Sequence, residues 1–544
     1  MNLRESRLAH LGIITLIWSV LVLGNLGGTS LWDIDEGLNA EAAREMAESG
    51  NWIVPSFNFQ IRSAKPALLY WLQVASYELF GVSEFAARLP SALAALAVGM
   101  LTYGLGRKMF DPFTGLLGSI ILLSSIQLCI LAHAATPDML LLAAIMLTFF
   151  LFWSGYAYDG RRWLITCAFG TSLAVLAKGP VGLLLPNAVI VLFLFSRGEL
   201  KRYWDWRLAV GTAIFLAIAL PWYVLVGSET RGTFLRGFWW NENVNRFLQP
   251  MENHRGSIFY YPLVFIVGFA PWCVFLVPTL INGYREARDR GDDARIASRF
   301  LVFWFVSYIV FFTIAATKLP NYVLPAYPAF ALLTARTLML WHRGELNFPK
   351  WIMPACVLSV ALVGIVTGVG LYVASGEIPL KKLKGNGIPG LEPWAAIGLV
   401  PVIAGGLAWY WQRHRRRLAA VALLVVGAVG YLGLLISFPT KIIDARKAPK
   451  DLIAAAGLPR PFDEIRIATL DYFQPSLVYY AQREVTLLPN ESEALIHLAS
   501  PLQTYLICPA KTWDQLVTKA PRCRTLTKHY DLYRNVDVVV VTNR

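Results

Sequence analysis

The chain has 544 residues, 56% of them apolar and only 15% charged, with a formal net charge of +14. That composition excludes an ordinary soluble protein, because most of the length must lie in or against lipid. It also excludes nucleic-acid binding as the meaning of the charge, since the basic residues are scattered over short loops and form no patch on a soluble fold.

A membrane helix needs roughly 20 apolar residues, and about thirteen runs approach that length. They lie near 9–27, 87–106, 113–131, 138–157, 162–177, 180–196, 208–227, 259–281, 298–316, 321–340, 352–374, 394–411 and 417–437. The fifth and sixth are short and separated only by Lys178-Gly179-Pro180. The first is long and no small-residue cleavage site follows it, so it reads as an uncleaved anchor. With the N-terminus and its Arg4 and Arg7 on the cytoplasmic side, every second loop is basic. Those loops carry Arg107-Lys108, Arg161-Arg162, Arg197 to Arg207, Arg285 to Arg299, Arg343 to Lys350 and Arg413-His414-Arg415-Arg416-Arg417. The loops 28–86 and 228–258, the segment 375–393 and everything after Pro439 then share the outer face. The expected architecture is a polytopic α-helical membrane domain over 1–439 and a second domain over 440–544.

The first outer loop is richest in chemistry. It sets Asp33, Asp35, Glu36, Glu41, Glu45 and Glu48, then Arg62 and Lys65-Pro66, among Trp32, Trp52, Tyr70 and Trp71. Acids and a lysine held among aromatics at a membrane surface suit a substrate that is part lipid, part anionic phosphate and part sugar. Glu41, Glu45 and Glu48 recur on one face of a short surface helix, and a solvated face accounts for them. Asp35 and Glu36 stand at that helix's start. Capping, worth about 1 kcal/mol, explains one acid and not the group. Asp35 is the candidate catalytic group, with Glu36 and Arg62 as candidate substrate contacts.

Asp138 follows Thr136-Pro137 at a helix start on the same face, either as a favourable first-turn acid or as a site group. Lys65-Pro66, Lys178-Gly179-Pro180 and Lys318-Leu319-Pro320-Asn321-Tyr322 each put a lysine at an outer helix end beside a helix breaker. Snorkelling explains any one of them. Short outer loops should be poor in lysine, however, and three on one face point to a shared anionic ligand, a phosphate or diphosphate. The loop 228–258 adds Glu242, Arg246, His254 and Arg255, then Tyr260 and Tyr261. Its Trp239 and Trp240 fit an interfacial belt, while Arg246, His254 and Arg255 suit an acceptor's phosphates.

From about Asp463 the pattern changes. Ile465 to Thr469, Val485 to Leu488, Tyr505 to Ile507 and Val536 to Val541 read as strands, and Ser476 to Gln482, Glu491 to His497 and Thr512 to Lys519 as helices. A small α/β domain is expected there, without a Gly-rich nucleotide fingerprint. Cys508 and Cys523 are the pair open to a disulfide in an oxidising compartment, and no Cys/His cluster has zinc-ligand spacing.

Taken in order, these motifs resemble one family. They are Asp35-Glu36 with the trailing Ala40-Glu41-Ala42-Ala43-Arg44-Glu45-Met46, Lys65-Pro66, Thr136-Pro137-Asp138, Lys178-Gly179, His254-Arg255 to Tyr260-Tyr261, and Lys318-Leu319-Pro320-Asn321-Tyr322. The likeness extends to Phe473-Gln474-Pro475-Ser476-Leu477-Val478-Tyr479-Tyr480 in the tail. The family is the bacterial branch of the GT-C membrane glycosyltransferases related to protein O-mannosyltransferases, typified by the lipid A aminoarabinose transferase. The resemblance implies an undecaprenyl-phosphate-linked sugar as donor, 4-amino-4-deoxy-L-arabinose as the sugar, and lipid A or another envelope component as acceptor. It places the reaction on the periplasmic face of the bacterial inner membrane. With the motifs above, it assigns Asp35 to catalysis and Lys65, Lys178, Lys318 and Tyr322 to the donor phosphate. Glu36, Arg62, Asp138, Glu242, Arg246, His254, Arg255 and Tyr261 become substrate contacts.

Two departures bear on that assignment. Leu38 and Asn39 stand where the aminoarabinose enzymes tend to have Arg and Tyr, which leaves the sugar open, and Ala64 stands where they have an acid before Lys-Pro. The second argues against a metal site there, and no metal or other cofactor is expected to be required. A lipid-linked sugar transporter would instead show paired halves and ionisable groups near the bilayer midplane. A non-enzymatic assembly protein would not need outer lysines around acidic loops.

Overall fold

The structure is a computed structural model that describes residues 6–544 apart from 158–159, 251–253, 290, 378–386 and 460–463. Arg4 and the middle of the expected outer segment 375–393 lie outside the described residues.

Nine described helices are long and apolar enough to cross a membrane. Two further pairs, Pro112–Leu123 with Ile126–Ala132 and Tyr260–Gly268 with Trp272–Arg288, are bent by 68° and 119°, and Trp163–Lys178 and Val181–Arg197 are shorter apolar helices. Each expected apolar run finds its helix in this set, and the chain is a multi-pass membrane protein. The bends have local causes. At the first, Ser124 and Ser125 donate their hydroxyls back to the carbonyls of Ile120 and Leu122, at 2.5 and 2.8 Å. At the second, Pro271 has no amide to continue the ladder.

Helices meet closely where the side chains are smallest. A Cβ on Gly106 would lie 2.7 Å from the Cα of Gly115, and one on Gly364 would lie 2.2 Å from the carbonyl oxygen of Gly398. Without a hydrophobic drive between helices in lipid, such backbone approach supplies the packing. Glu84–Met109 sets the polarity of the bundle. It begins at Glu84, 2.6 Å from Lys450 of the C-terminal part, and ends with Arg107-Lys108 in its last turn, about 35 Å away by helix rise. The basic loop and the C-terminal part therefore sit at opposite ends.

The first external loop folds into a helix, Asp35–Ser49, a hairpin of β1 (Ser56–Phe57) and β2 (Gln60–Ile61), and a second helix, Leu68–Phe80. The tail carries β3 (Ile465–Leu470), β4 (Val485–Leu488), β5 (Gln503–Pro509), β6 (Arg524–Asp531) and β7 (Val536–Thr542) in one sheet of order β4-β3-β5-β7-β6. β3 runs parallel to β4 and β5, and β7 antiparallel to β5 and β6. Alternate residues face alternate layers, with Tyr505, Ile507 and Val540 on one side and Leu506, Cys508 and Val541 on the other. Of the tail's five strands, β6 is the one the sequence pattern misses: it is an edge strand whose residues are mostly exposed or half-buried, so it has no apolar run to announce it. Cys508 and Cys523 are both free thiols.

Candidate active site

The site grows from the helix Asp35–Ser49. Gly37 lets this helix lie against the tail, since a Cβ there would come within 2.6 Å of the Ser476 amide nitrogen. The N-cap position is Ile34 and no side chain caps the helix, so Asp35 is not a capping residue. It is exposed and accepts no hydrogen bond from the described residues.

Its neighbour has the opposite fate. Glu36 is 2% exposed. It takes a two-pronged grip from Arg88 at 2.9 and 2.8 Å, and the amides of Trp32 and Ala135 donate to it, each at 2.7 Å. Burial alone would push this carboxyl up, but Arg88 and the two amides hold it below the ordinary glutamate value. Arg88 also donates to the carbonyls of Leu26, Thr29 and Ser30. Glu36 is thus a strut between two helices and the loop, and not the substrate contact expected of it.

Of the later glutamates, Glu48 is exposed as expected, while Glu41 and Glu45 depart from expectation because they are buried and not solvated. Glu41 holds Arg44 through two bonds of 2.8 Å. Glu45 accepts the Ser56 hydroxyl at 2.5 Å and the Phe59 amide at 3.1 Å, which anchors the hairpin. Asp33, which the sequence offers no reason to separate from its neighbours, reaches the tail. It accepts the amide of Ser476 at 2.9 Å and also that residue's hydroxyl. Burial raises its carboxyl to about 7, against the pull of those two bonds.

Lys65 and Lys178 do converge. Lys178 closes the helix Trp163–Lys178 and lies 2.5 Å from Asp138, 3.0 Å from whose Oδ1 the Asn321 amide also donates. The Lys178 ammonium sits 5.3 Å from the centre of the Tyr322 ring. Lys65 lies 3.7 Å from Glu242. Burial depresses its pKa; Glu242 and Asp35 oppose that shift, and Lys178 and Arg246 add to it. Asp35 is near enough to act on the charge of both lysines. Glu242 is shared with Arg246 at 3.1 Å.

Lys318 does not join them. Its ammonium donates to the carbonyls of Phe312, Thr313 and Ala315, at 3.1, 2.5 and 2.7 Å, and so caps the helix Asp293–Ile314. It also lies 5.5 Å from the ring of buried Tyr261, which is packing and not a substrate contact. The Lys318 motif serves the site through Asn321 and Tyr322 instead. His254 and Arg255 are exposed; the His254 carbonyl accepts the Lys318 amide at 3.0 Å. Arg62 lines a cavity of about 330 Å³ between the hairpin and the helix Gly237–Asn245. Among the described residues no group of three or more His, Cys, Asp or Glu side chains is placed to hold a metal ion.

Chemically, the cleft offers two lysines for an anion at the ends of apolar helices, an open carboxylate beside them, and a rigid Asp138–Asn321 mount behind. The profile of the family described as dolichyl-phosphate-mannose-protein mannosyltransferase matches residues 64–224. An uncharacterized protein of Aquifex aeolicus (strain VF5) is 31% identical over 509 residues, covering 92% of this chain and 93% of its own. The undecaprenyl phosphate-alpha-4-amino-4-deoxy-L-arabinose arabinosyl transferase of Yersinia pestis (strain Pestoides F) is 27% identical over 459 residues, 81% of this chain and 78% of that one. The crystal structure of ArnT from Cupriavidus metallidurans bound to undecaprenyl phosphate has the same fold. Its TM-score is 0.80 at 22% identity, over 99% of this chain and 98% of that one.

Proposed function

The chain belongs to the aminoarabinose-transferase-like family of polyprenyl-phosphate-sugar-dependent membrane glycosyltransferases, related to the protein mannosyltransferases, and we propose that it moves 4-amino-4-deoxy-L-arabinose from undecaprenyl phosphate to a phosphate of lipid A. The reaction takes place on the periplasmic face of the bacterial inner membrane, with the N-terminus cytoplasmic and residues 440–544 forming a periplasmic domain. The observation that carries this reading is that Lys65 and Lys178 lie near enough for each other's charge to be felt, with the exposed Asp35 near enough to act on both.

The chemistry follows from the groups present. The bond between the anomeric carbon and the undecaprenyl phosphate oxygen breaks, and one to the acceptor phosphate oxygen forms. Lys65 and Lys178 neutralise the departing phosphate, so no strong general acid is needed. Asp138 and Asn321 hold Lys178 in place, with Tyr322 packed under its ammonium. The acceptor oxygen is already ionised and needs no base. Asp35 therefore stabilises positive charge on the anomeric carbon, as a carboxylate does in glycosidic chemistry. Attack from the side opposite the leaving phosphate inverts the centre.

The test is mass spectrometry of lipid A from cells that lack their own phosphate-modifying transferase and express the intact chain or Asp35→Asn. Pentosamine on the phosphates with the intact chain only is the expected result. Unmodified lipid A from well-expressed intact protein would refute the sugar and acceptor proposed.

A further inference from the structure

We infer that the cavity between the β1–β2 hairpin and the helix Gly237–Asn245 binds the acceptor's phosphomonoester, with Arg62 as its ligand, apart from the lysine site of the donor; this rests on the transferase function proposed above. The cavity holds about 330 Å³, the space of roughly ten waters at about 30 Å³ each, which admits a phosphorylated sugar ring. Gln60, Arg62 and Ser63 face Asn241 and Glu242 across it.

Both walls are held in place. Glu45 anchors the hairpin through Ser56 and Phe59. Asn58, at the hairpin tip, exchanges two hydrogen bonds of 3.0 and 2.9 Å with the backbone of Val485 in β4. On the other side, the bare Gly237 lets its helix press on the loop, since a Cβ there would stand 2.7 Å from that of Ser63. That helix has the wide π turn that is frequent at functional sites.

Charge selects the ligand. Glu242, the acid of the lining, already faces Arg246 at 3.1 Å and Lys65 at 3.7 Å. Arg62 donates only to neutral groups, Tyr70 Oη at 3.3 Å and Asn39 Oδ1 at 3.4 Å, and has no carboxylate partner among the described residues. The nearby guanidiniums of Arg44, Arg88 and Arg246 each hold a carboxylate. A half-buried guanidinium in a polar cavity without a counter-charge favours an anion that it can meet with two parallel bonds, and a phosphate does so. The donor's phosphate is accounted for by Lys65 and Lys178, neither of which lines the cavity. The cavity belongs instead to the hairpin that docks on the soluble sheet, where a headgroup phosphate arrives from water.

The experiment uses the full chain in lipid nanodiscs saturated with undecaprenyl phosphate, and glucosamine 1-phosphate as the probe. Saturable binding is expected, at least 10-fold weaker in Arg62→Gln and largely restored in Arg62→Lys, while both variants keep the intact chain's affinity for undecaprenyl phosphate. That unchanged affinity also reports that the variants are folded. A parallel loss of undecaprenyl phosphate affinity in Arg62→Gln would assign Arg62 to the donor and overturn the inference. No saturable probe binding, or binding indifferent to Arg62→Gln, would overturn it as well, and so would equal competition by inorganic phosphate, which would mark a free-anion site. Probe binding that persists in a chain without sugar transfer would refute the transferase function and leave the anion site standing.

Discussion

Asp35 and Glu36 are adjacent, yet they belong to regions built in opposite ways. At Glu36 the buried charges close on each other: two bonds from Arg88, two from backbone amides, and further Arg88 bonds to three carbonyls. Around Asp35 the charges crowd without closing. Its carboxylate is exposed, and Lys65, near enough to feel its charge, keeps a 3.7 Å distance from Glu242. A buried polar group that is fully satisfied is scaffolding, whereas concentrated and under-satisfied charge in a cleft is what a charged substrate completes.

Substitutions separate the two regions. Asp35→Asn is expected to lower kcat by about 10³-fold with an unchanged melting temperature, measured by turnover of a purified donor; a small effect would move the catalytic role elsewhere. Arg88→Leu is expected to do the reverse, since it strands a buried carboxylate. It should cost about 3–5 kcal/mol of stability, seen as a collapse of the thermal transition. Lys178→Ala should weaken undecaprenyl phosphate binding by about 10- to 100-fold, checked by equilibrium binding in nanodiscs, and should also cost a few kcal/mol of stability because it leaves buried Asp138 with Asn321 alone.

The loop's contact with the tail gives a smaller, pH-dependent effect. Burial raises the Asp33 carboxyl from 3.8 to about 7 in the folded protein, against the pull of its Ser476 bonds, so the protonated form is the one folding favours. The contribution is therefore full below the unfolded value and is lost as pH rises through about 7. Stability should fall by on the order of 2–3 kcal/mol from pH 5 to pH 8, read as a lower melting temperature, and Asp33→Asn should flatten that slope. Lys318→Met should show the least, about 1 kcal/mol of stability for a lost helix cap with donor affinity intact. A large loss of donor binding in that variant would return Lys318 to the phosphate site.

The helices were legible because lipid imposes a length and an apolar composition that survive in any sequence order, and the motif residues Asp35, Lys65, Asp138 and Lys178 stood out because charge at helix ends is scarce. What those residues touch was not legible. Lys318 has the same local setting as Lys178, a lysine before a helix breaker, yet one ammonium turns back to its own helix's carbonyls and the other crosses to Asp138. Glu41 and Glu45 share a face that reads as solvated until the hairpin and Arg44 cover it. The Asn321 bond to Asp138 spans 183 residues and the Asp33 bond to Ser476 spans 443. No window along the chain contains both partners.

By itself, then, the sequence determined that this is a many-helix membrane protein with an α/β tail and an acid- and lysine-bearing face, because hydropathy, breaker residues and charge scarcity are local properties. Only the tertiary structure decided which of two neighbouring acids is free, which two of three equivalent lysines meet, and which arginine is left facing a cavity. Those outcomes depend on how charge is paired between distant segments, and the free energy of a buried charge is set by its partners in space.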